Sequence, residues 1–247
     1  MCTIIVLNDA VPGYPLIVAS NRDERIDRVS SPPKIQNVST TRVISPRDFH
    51  MGGTWMGAAE KGWVVGVTNQ HGGDHRERAT SRGLVVSECL EAPSHASAAR
   101  LLMTIPVGLY NPFNLVFGKP GAMFVSTVMS GHPLEMTPIL GHVTAISNDC
   151  VGHEYDSKVM RAEVLTLHML DRHSPRRIED VREGLFRTLA DHNDGDSFQS
   201  LCVHADERTF ETRSTSIITV SNQGNVEYWY SEGAPCKSAG LILVGTL

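Results

Sequence analysis

The sequence lacks the features that mark membrane, secreted and disulfide-bonded proteins. No apolar run approaches the roughly 18 residues that a membrane-spanning helix needs, and residues 1–6 carry no basic segment typical of a signal peptide. The five cysteines are odd in number, widely spaced and without a CxxC pair. This pattern predicts free thiols in a reducing compartment and gives no support for a metal site. We therefore expect a cytoplasmic protein, or a mitochondrial one in a eukaryotic source, without stable membrane insertion.

The sequence also lacks a large excess of charge of one sign. The formal net charge is -5 and the isoelectric point is about 6.1, with no cluster of lysines and arginines long enough to follow a row of phosphates. We therefore do not expect nucleic acid as a partner. We expect a small-molecule ligand or substrate instead. The 247 residues, 41% of them hydrophobic, are enough to bury a large core, and we expect one domain over residues 1–247.

Strand-like and helix-like segments alternate in batches along the chain. Apolar runs broken by tight turns predict antiparallel strands at residues 3–7, 16–20, 53–58, 63–68, 114–118, 122–129, 135–140, 142–146, 200–203, 215–220 and 226–230. Helical spacing of apolar residues predicts helices at residues 81–91, 94–103, 157–170 and 178–189. The proline-bearing stretch from residue 25 to 46 reads as irregular. This order predicts an α+β protein, a sandwich of two antiparallel sheets with helices outside, because a doubly wound fold would alternate single strands with single helices.

Cys2 is the strongest candidate for a catalytic residue. A small side chain at position two allows the initiator methionine to be removed, which leaves a thiol and a free α-amine on one residue. An α-amine with a pKa near 7.7 to 8.0 can take the thiol proton at neutral pH, so such a cysteine carries its own base. The alternative is a buried apolar residue that opens a strand, a common place for free cysteine.

A dense polar run, residues 20–25, follows the strand whose hairpin partner begins at Cys2. Hairpin pairing brings this run near the thiol. Arg22 is suited to hold a thiolate or a substrate carboxylate, Asp23 to orient the α-amine, and Asn21 to contact the substrate. The alternative is a solvated turn.

Two asparagines, Asn69 and Asn148, end predicted strands, and Arg213 precedes a late one. A side-chain amide at a strand end can donate to the oxyanion of a tetrahedral intermediate, a contact worth about 3 to 4 kcal/mol of barrier. Each asparagine is equally typical of a turn.

Several of these segments together resemble one family. Residues 20–24 read Ser-Asn-Arg-Asp-Glu behind an N-terminal Met-Cys-Thr, and the chain continues with Gly-Gly-Thr-Trp-Met-Gly at 52–57, Thr-Asn at 68–69, Ser-Asn at 147–148 and Thr-Arg-Ser-Thr at 212–215. In this order they resemble the NRDE family, also called the transport and Golgi organisation protein 2 family. That family is similar to the N-terminal-nucleophile hydrolases with a cysteine nucleophile, which have an αββα sandwich.

The resemblance implies roles for individual residues. It implies Cys2 as the nucleophile, Asp23 as the orienter of its amine, Asn148 as an oxyanion or leaving-group contact and Arg213 as an arginine near the nucleophile. Asn21, Arg22 and Asn69 remain candidate substrate-binding residues.

Two functions follow as hypotheses. The first is an amide hydrolase or acyl transferase acting on a small molecule, which requires removal of Met1 and no cofactor. The second is a non-catalytic protein on the same fold that handles haem or acyl lipids, as the resemblance implies. Eleven histidines and nine methionines supply possible haem ligands, but none has a haem-attachment spacing. A purely structural interaction module has no specific feature behind it.

Overall fold

The computed structural model describes residues 2–38, 40–71, 75–129, 132, 134–148, 157–172, 177–193, 198–205 and 209–247. The strands are β1 (Cys2–Val11), β2 (Tyr14–Arg25), β3 (Ser30–Val38), β4 (Thr41–Asp48), β5 (Met56–Ala59), β6 (Val64–Asn69), β7 (Phe113–Lys119), β8 (Ala122–Val128), β9 (Thr137–Pro138), β10 (Val143–Ile146), β11 (His204–Ala205), β12 (Phe210–Val220), β13 (Val226–Glu232) and β14 (Ile242–Thr246). The helices are α1 (Arg82–Glu91), α2 (His95–Thr104), α3 (Ser157–Arg172) and α4 (Ile178–Leu189), with a 3-10 turn at Val107–Leu109.

These strands form two seven-stranded sheets in which neighbouring strands are antiparallel. The first sheet has the order β10-β1-β2-β12-β13-β14, and β11 pairs with β12. The second sheet is a meander that follows chain order from β3 to β9. The chain thus enters the first sheet, builds the second, and returns to complete the first. The predicted antiparallel architecture is confirmed.

Alternation along each strand sends side chains into different layers. In β1, Ile4 and Val6 belong to the core between the two sheets, whereas Ile5 and Leu7 pack under α3 and α4. A third apolar cluster joins the second sheet to α1 and α2. The order of layers is therefore helices, sheet, sheet, helices. None of the described helices is long and apolar enough to cross a membrane.

Several predicted elements differ from the structure. The stretch from residue 25 to 46, expected to be irregular, contains β3 and most of β4. Two of its three prolines, Pro32 and Pro33, lie in an edge strand at a register shift between Ser31 and Lys34, where a missing N–H breaks no ladder bond. The strand predicted at 135–140 is reduced to Thr137–Pro138, that predicted at 200–203 lies instead at 204–205, and β14 was not predicted.

Candidate active site

Cys2 opens β1 at the end of the first sheet and pairs directly with Arg22 of β2. Both side chains point to the same side as Ile4, toward the second sheet. The two sheets part here around a cavity of about 270 Å³, whose lining includes Cys2, Arg22, Asp23 and the predicted Asn69. The predicted hairpin therefore brings the polar run at residues 20–25 beside the thiol, as expected.

Asn148 contacts the backbone of Cys2 directly. The Cys2 nitrogen donates to Asn148 Oδ1 at 2.7 Å, across 146 positions of sequence. Asn148 itself is 3% exposed, and its carbonyl oxygen accepts from the His71 N–H at 2.6 Å. The neighbouring Ser147 carbonyl accepts from the Thr68 hydroxyl at 2.7 Å. The Thr-Asn and Ser-Asn segments seen in the sequence therefore meet, and they hold the amide of Asn148 against the chain at Cys2.

Asn69 is the last residue of β6, and its side chain is exposed at the cavity. It lies where the strand-end argument put it. Its side-chain amide is thus available to a ligand, whereas Asn148 is not among the described residues that line the cavity.

Asp23 is a buried carboxylate beneath Cys2. Its Oδ1 accepts from the Thr212 hydroxyl at 2.6 Å, and its Oδ2 lies 3.6 Å from Lys158 Nζ. The Asp23 backbone N–H bonds to the Cys2 sulfur, which opposes the rise in the pKa of this thiol that burial causes. Sequence reasoning missed Lys158, since a lysine in the first turn of a helix is normally a surface residue.

Asn21 does not face the cavity. It is adjacent to Arg22, so its side chain points to the opposite face of the sheet, where it is fully buried. Its Nδ2 donates to the carbonyl oxygens of Leu189 and Leu201, each at 2.8 Å, and its Oδ1 accepts from the Thr215 hydroxyl at 2.6 Å. The prediction that Asn21 binds substrate is wrong, because its hydrogen bonds join the sheet to the helical layer instead.

Arg213 also departs from its predicted place. It lies at a bulge in β12, two strands away from β1, and is not among the described residues that line the cavity. Its guanidinium bonds to Glu211 at 2.5 Å. The arginine beside the thiol is Arg22 instead, because the bulge and the ion pair direct Arg213 away.

Two arginines of the cavity, Arg22 and Arg82, are desolvated by burial and have no carboxylate partner among the described residues. Arg22 stacks over the Trp55 ring, with its central carbon 4.2 Å from the ring centroid, and donates to the Ser30 hydroxyl at 3.3 Å. Arg82, at the start of α1, donates to the Pro112 carbonyl at 3.1 Å. Burial lowers the pKa of both guanidinium groups, although both remain charged at neutral pH. Sequence reasoning missed Arg82, because nothing in its helix pattern marks the cavity.

A third arginine of the cavity is neutralised. Arg28 donates to Glu24 at 2.8 Å and to Asp48 at 2.5 Å. Arg76, which donates to the Tyr110 carbonyl at 2.9 Å, also lines the cavity without a carboxylate partner among the described residues, so three cationic side chains, against Glu77, are left to meet a ligand. A cavity of this kind favours an anionic ligand group.

The Gly-Gly-Thr-Trp segment explains how Trp55 and Arg82 are positioned. Gly53 has φ +75°, and a Cβ there would lie 2.3 Å from the Gly83 backbone. The Thr54 N–H donates to the Gly83 carbonyl at 3.1 Å. This close approach, which only glycine allows, fixes the first turn of α1 against the segment that carries Trp55.

Comparison with solved structures defines the class. The chain matches a mutant of the conjugated bile acid hydrolase from Clostridium perfringens with a TM-score of 0.66 and 11% identity, over 98% of this chain and 92% of that one. It matches the Caenorhabditis elegans ortholog of N-acylethanolamine-hydrolyzing acid amidase with a TM-score of 0.56 and 12% identity, over 88% and 92%. The fold is thus that of the N-terminal-nucleophile hydrolases, as predicted.

Comparison by sequence identifies the family. A family model described as "Transport and Golgi organisation 2" matches residues 1–232, and the chain belongs to this family. The mouse Transport and Golgi organization 2 homolog is 24% identical over 262 residues, which cover 92% of this chain and 91% of that protein. The human homolog is 30% identical over 125 residues, 47% of this chain and 44% of that protein.

Proposed function

We propose that the chain is an N-terminal-nucleophile amide hydrolase or acyl transferase that acts on a small molecule bearing an anionic group. The observation that carries this proposal is the 2.7 Å bond between the Cys2 nitrogen and Asn148 Oδ1 at a cavity lined by Cys2, Arg22 and Asp23. A core cysteine would have no need of a buried amide at its own backbone nitrogen and a backbone N–H at its sulfur. The hydrolase fold of the solved relatives supports the same role.

The contacts assign a part to each group once Met1 is removed. The Cys2 nitrogen then becomes an α-amine, which takes the proton of the thiol, and the sulfur attacks the carbonyl carbon of the substrate. Asn148 Oδ1 accepts from the nitrogen and holds it in place, and the Asn69 amide, which lines the cavity, supplies a donor for the oxyanion. Asp23 fixes the backbone beneath the sulfur.

The remaining steps transfer the proton to the leaving amine and regenerate the free thiol of Cys2. The carbon–nitrogen bond breaks, the α-ammonium protonates the departing amine, and a thioester of Cys2 is left. Water then attacks the thioester, giving a carboxylic acid and the free thiol, or an amine attacks it and receives the acyl group. Both outcomes use the same Cys2 intermediate, so the intermediate is the species to look for.

The charge of the cavity argues for the anionic group. Arg22 and Arg82 line it without carboxylate partners among the described residues, and both are partly desolvated. Desolvated guanidinium groups bind carboxylates, phosphates or sulfonates through charge-assisted hydrogen bonds. An N-acyl amino acid is a substrate of this description.

Trapping the intermediate tests the proposal. The protein is incubated with a panel of N-acyl amino acids and matched neutral N-acyl amides. The reaction is quenched in acid, the protein is digested, and the mass of the Cys2 peptide is measured by mass spectrometry. We expect a base-labile acyl mass on the Cys2 peptide, with acidic substrates preferred, and none on the Cys89 peptide. Release of amine without acylated Cys2, or no turnover of any member, would contradict the proposed mechanism.

The alternative is binding of haem or acyl lipid in the same cavity without cleavage. His75 and Met51 line the cavity and could supply a haem ligand. However, a volume of about 270 Å³ lies below the usual range of ligand pockets, roughly 300 to 1,000 Å³, and suits a smaller molecule better. Titration with haemin, followed by a Soret shift that persists in Cys2→Ala but is lost in His75→Ala, would favour this alternative.

A further inference from the structure

A second group of reactive side chains lies outside the cavity. It consists of His192, Cys202, His204 and Cys236, whose potential ligand atoms all lie within 4.8 Å of one another. His192 follows α4, Cys202 and His204 lie at β11, and Cys236 follows β13. Three separate chain segments thus deliver two thiols and two imidazoles to one point. We call these four residues the Cys/His cluster.

The distances within the Cys/His cluster fit one tetrahedral ion. Cys202 Sγ lies 3.5 Å from Cys236 Sγ and 3.5 Å from His204 Nε2, and His204 Nε2 lies 3.1 Å from Cys236 Sγ. A tetrahedron with Zn–S of about 2.3 Å and Zn–N of about 2.0 to 2.1 Å has edges of about 3.5 Å between S and N and about 3.8 Å between S and S. Cys202, His204 and Cys236 therefore need to move by only a few tenths of an ångström, and the His192 ring, which lies within 4.8 Å of all three, would close in as the fourth ligand.

The backbone holds the fourth ligand in place. The Cys202 N–H donates to the Asp191 carbonyl at 2.9 Å, and the Ser200 hydroxyl donates to the His192 carbonyl at 2.6 Å. The His192 and His204 rings meet edge to face, with centroids 5.3 Å apart. His192 is therefore carried alongside the other three residues by hydrogen bonds that involve no metal, and the site is preorganised.

We propose that His192, Cys202, His204 and Cys236 bind a zinc ion as a closed structural site. Two thiolates and two neutral imidazoles form a donor set that zinc prefers, and four protein ligands leave no open position for catalysis. Calcium and magnesium are excluded because they require oxygen ligands. The expectation of no metal site rested on the absence of a CxxC pair, which misses ligands that the fold gathers from distant segments.

A zinc ion here would stabilise the chain next to the cavity. Between Cys202 and His204, the Val203 N–H donates to the Thr212 hydroxyl at 2.8 Å. The same hydroxyl donates to Asp23 Oδ1 at 2.6 Å. The Cys/His cluster thus fixes the strand that directs Thr212 toward Asp23, although no ligand of the cluster lines the cavity.

The competing use of these thiols is a disulfide. Cys202 and Cys236 have their sulfur atoms 3.5 Å apart, against about 2.05 Å in a disulfide. The presence of two imidazoles at the same point favours the metal, because a disulfide has no use for them. The two chemistries are separated by mass and by metal content.

The test uses the full chain, purified under reductant without a metal-affinity tag. Zinc content is measured by mass spectrometry of the metal, and the stripped protein is titrated with Co²⁺ and with Zn²⁺ against a chromogenic chelator. The ligand variants are Cys236→Ser and His192→Gln, both at exposed positions that tolerate substitution. The matched controls are Cys89→Ala, which lies in the other helical layer, and His168→Gln, which is exposed on α3.

We expect about one zinc per chain in the wild type and in both controls. The same proteins, titrated with Co²⁺, should show the visible and the thiolate-to-metal absorption bands of tetrahedral cobalt. Each ligand variant should bind zinc more than about 100-fold more weakly than the wild type. Loss of a residue that only hydrogen-bonds to a metal ligand can already cost about 100-fold, and loss of the ligand itself should cost more. Zinc should also raise the melting temperature of the wild type, by an amount that grows with the logarithm of the zinc concentration above the dissociation constant. Equal zinc affinity in the variants and the wild type, absence of tetrahedral cobalt bands, or a Cys202–Cys236 disulfide in the reduced preparation would overturn the proposal.

Discussion

The cavity at Cys2 and the Cys/His cluster lie at the same end of the first sheet. Both sites contain cysteine, but the cysteines have different neighbours in the two sites. Cys2 is a single thiol beside an amide, a carboxylate and two arginines. In the cluster, two thiols meet two imidazoles, and among the described residues no carboxylate belongs to the group. Burial does not separate the two sites, since Cys2 is half-buried and the cluster joins buried Cys202 to exposed Cys236, so the proposed roles rest on the neighbours of each cysteine.

The two regions are also linked. Thr212 lies between them, accepting from Val203 of the cluster strand and donating to Asp23 of the cavity. The Thr212 N–H also donates to the Val203 carbonyl at 2.9 Å, and Asn21 donates to Leu201, so we expect the Thr212 hydroxyl to carry part of any effect of one region on the other. Four variants test the difference and the link, in order of decreasing effect.

Replacement of the nucleophile should have the largest effect. We expect Cys2→Ala to lower turnover of an acidic N-acyl amide by at least about 10³-fold, since no other group supplies the attacking electron pair. The free energy of unfolding should change by less than about 1 kcal/mol, because Cys2 is only half-buried at a strand start. Initial rates and urea denaturation measure the two quantities. A loss of stability with unchanged turnover would indicate a packing role.

Removal of the buried charge beneath Cys2 should cost stability. In Asp23→Asn, Lys158 keeps its charge in an environment where its side chain is 5% exposed. Breaking a buried ion pair on one side costs about 3 kcal/mol or more, so we expect that loss in urea denaturation. The double variant Asp23→Asn, Lys158→Met should recover most of it. If the single variant is as stable as the wild type, Asp23 and Lys158 do not form the pair that anchors the site.

Substrate binding should depend on the arginine at the start of α1. Arg82→Met should raise KM for an acidic substrate about tenfold, corresponding to one charge-assisted hydrogen bond, with little change in kcat. The KM of a neutral substrate should stay unchanged. Arg100→Met, an exposed arginine on α2 outside the cavity, is the matched control. Equal effects on acidic and neutral substrates would remove the argument for an anionic group.

A cluster variant should reach the cavity only weakly. Cys236→Ser should lower kcat about two- to threefold, because loss of zinc loosens the Val203–Thr212 hydrogen bond but leaves every cavity residue in place. Thr212→Val, which removes that hydroxyl, should make turnover less sensitive to zinc. Steady-state rates with and without added zinc measure this coupling. A zinc effect of equal size in Thr212→Val would mean that the coupling follows another route.

Much of the fold was predictable because apolar periodicity is a local signal. The β1–β2 hairpin and all four helices follow directly from it. The strands β3 and β4 did not, because prolines at an edge strand resemble a loop when the sheet order is unknown. The pairing of β14 could not be predicted, because the connection from Glu232 to Ile242 is longer than a tight hairpin turn.

The site was predictable in part for a similar reason. Cys2, Asp23, Asn69 and Asn148 follow from strand ends and one hairpin. Asn21 was misplaced because a shift of one residue moves a side chain to the other face, and the irregularity between Asn8 and Val11 hides the register from the sequence. The Cys/His cluster leaves only the Cys202-x-His204 pair as a local signal, since its other ligands come from distant segments.

The central claim is that Cys2 acts with its own α-amine, and one measurement tests it most directly. The purified chain is treated with a thiol reagent across pH 6 to 9, beside a chain extended by two residues ahead of Cys2, and the label on each cysteine peptide is quantified by mass. Burial raises the pKa of the Cys2 thiol, so the extended chain should label slowly at neutral pH and faster only at alkaline pH. The account predicts that the natural chain lacks Met1 and that its Cys2 labels at least about 10²-fold faster than the extended chain at neutral pH, with the rate rising as the amine loses its proton. Retention of Met1 in the natural chain, together with equal labelling of Cys2 in both chains, would contradict it.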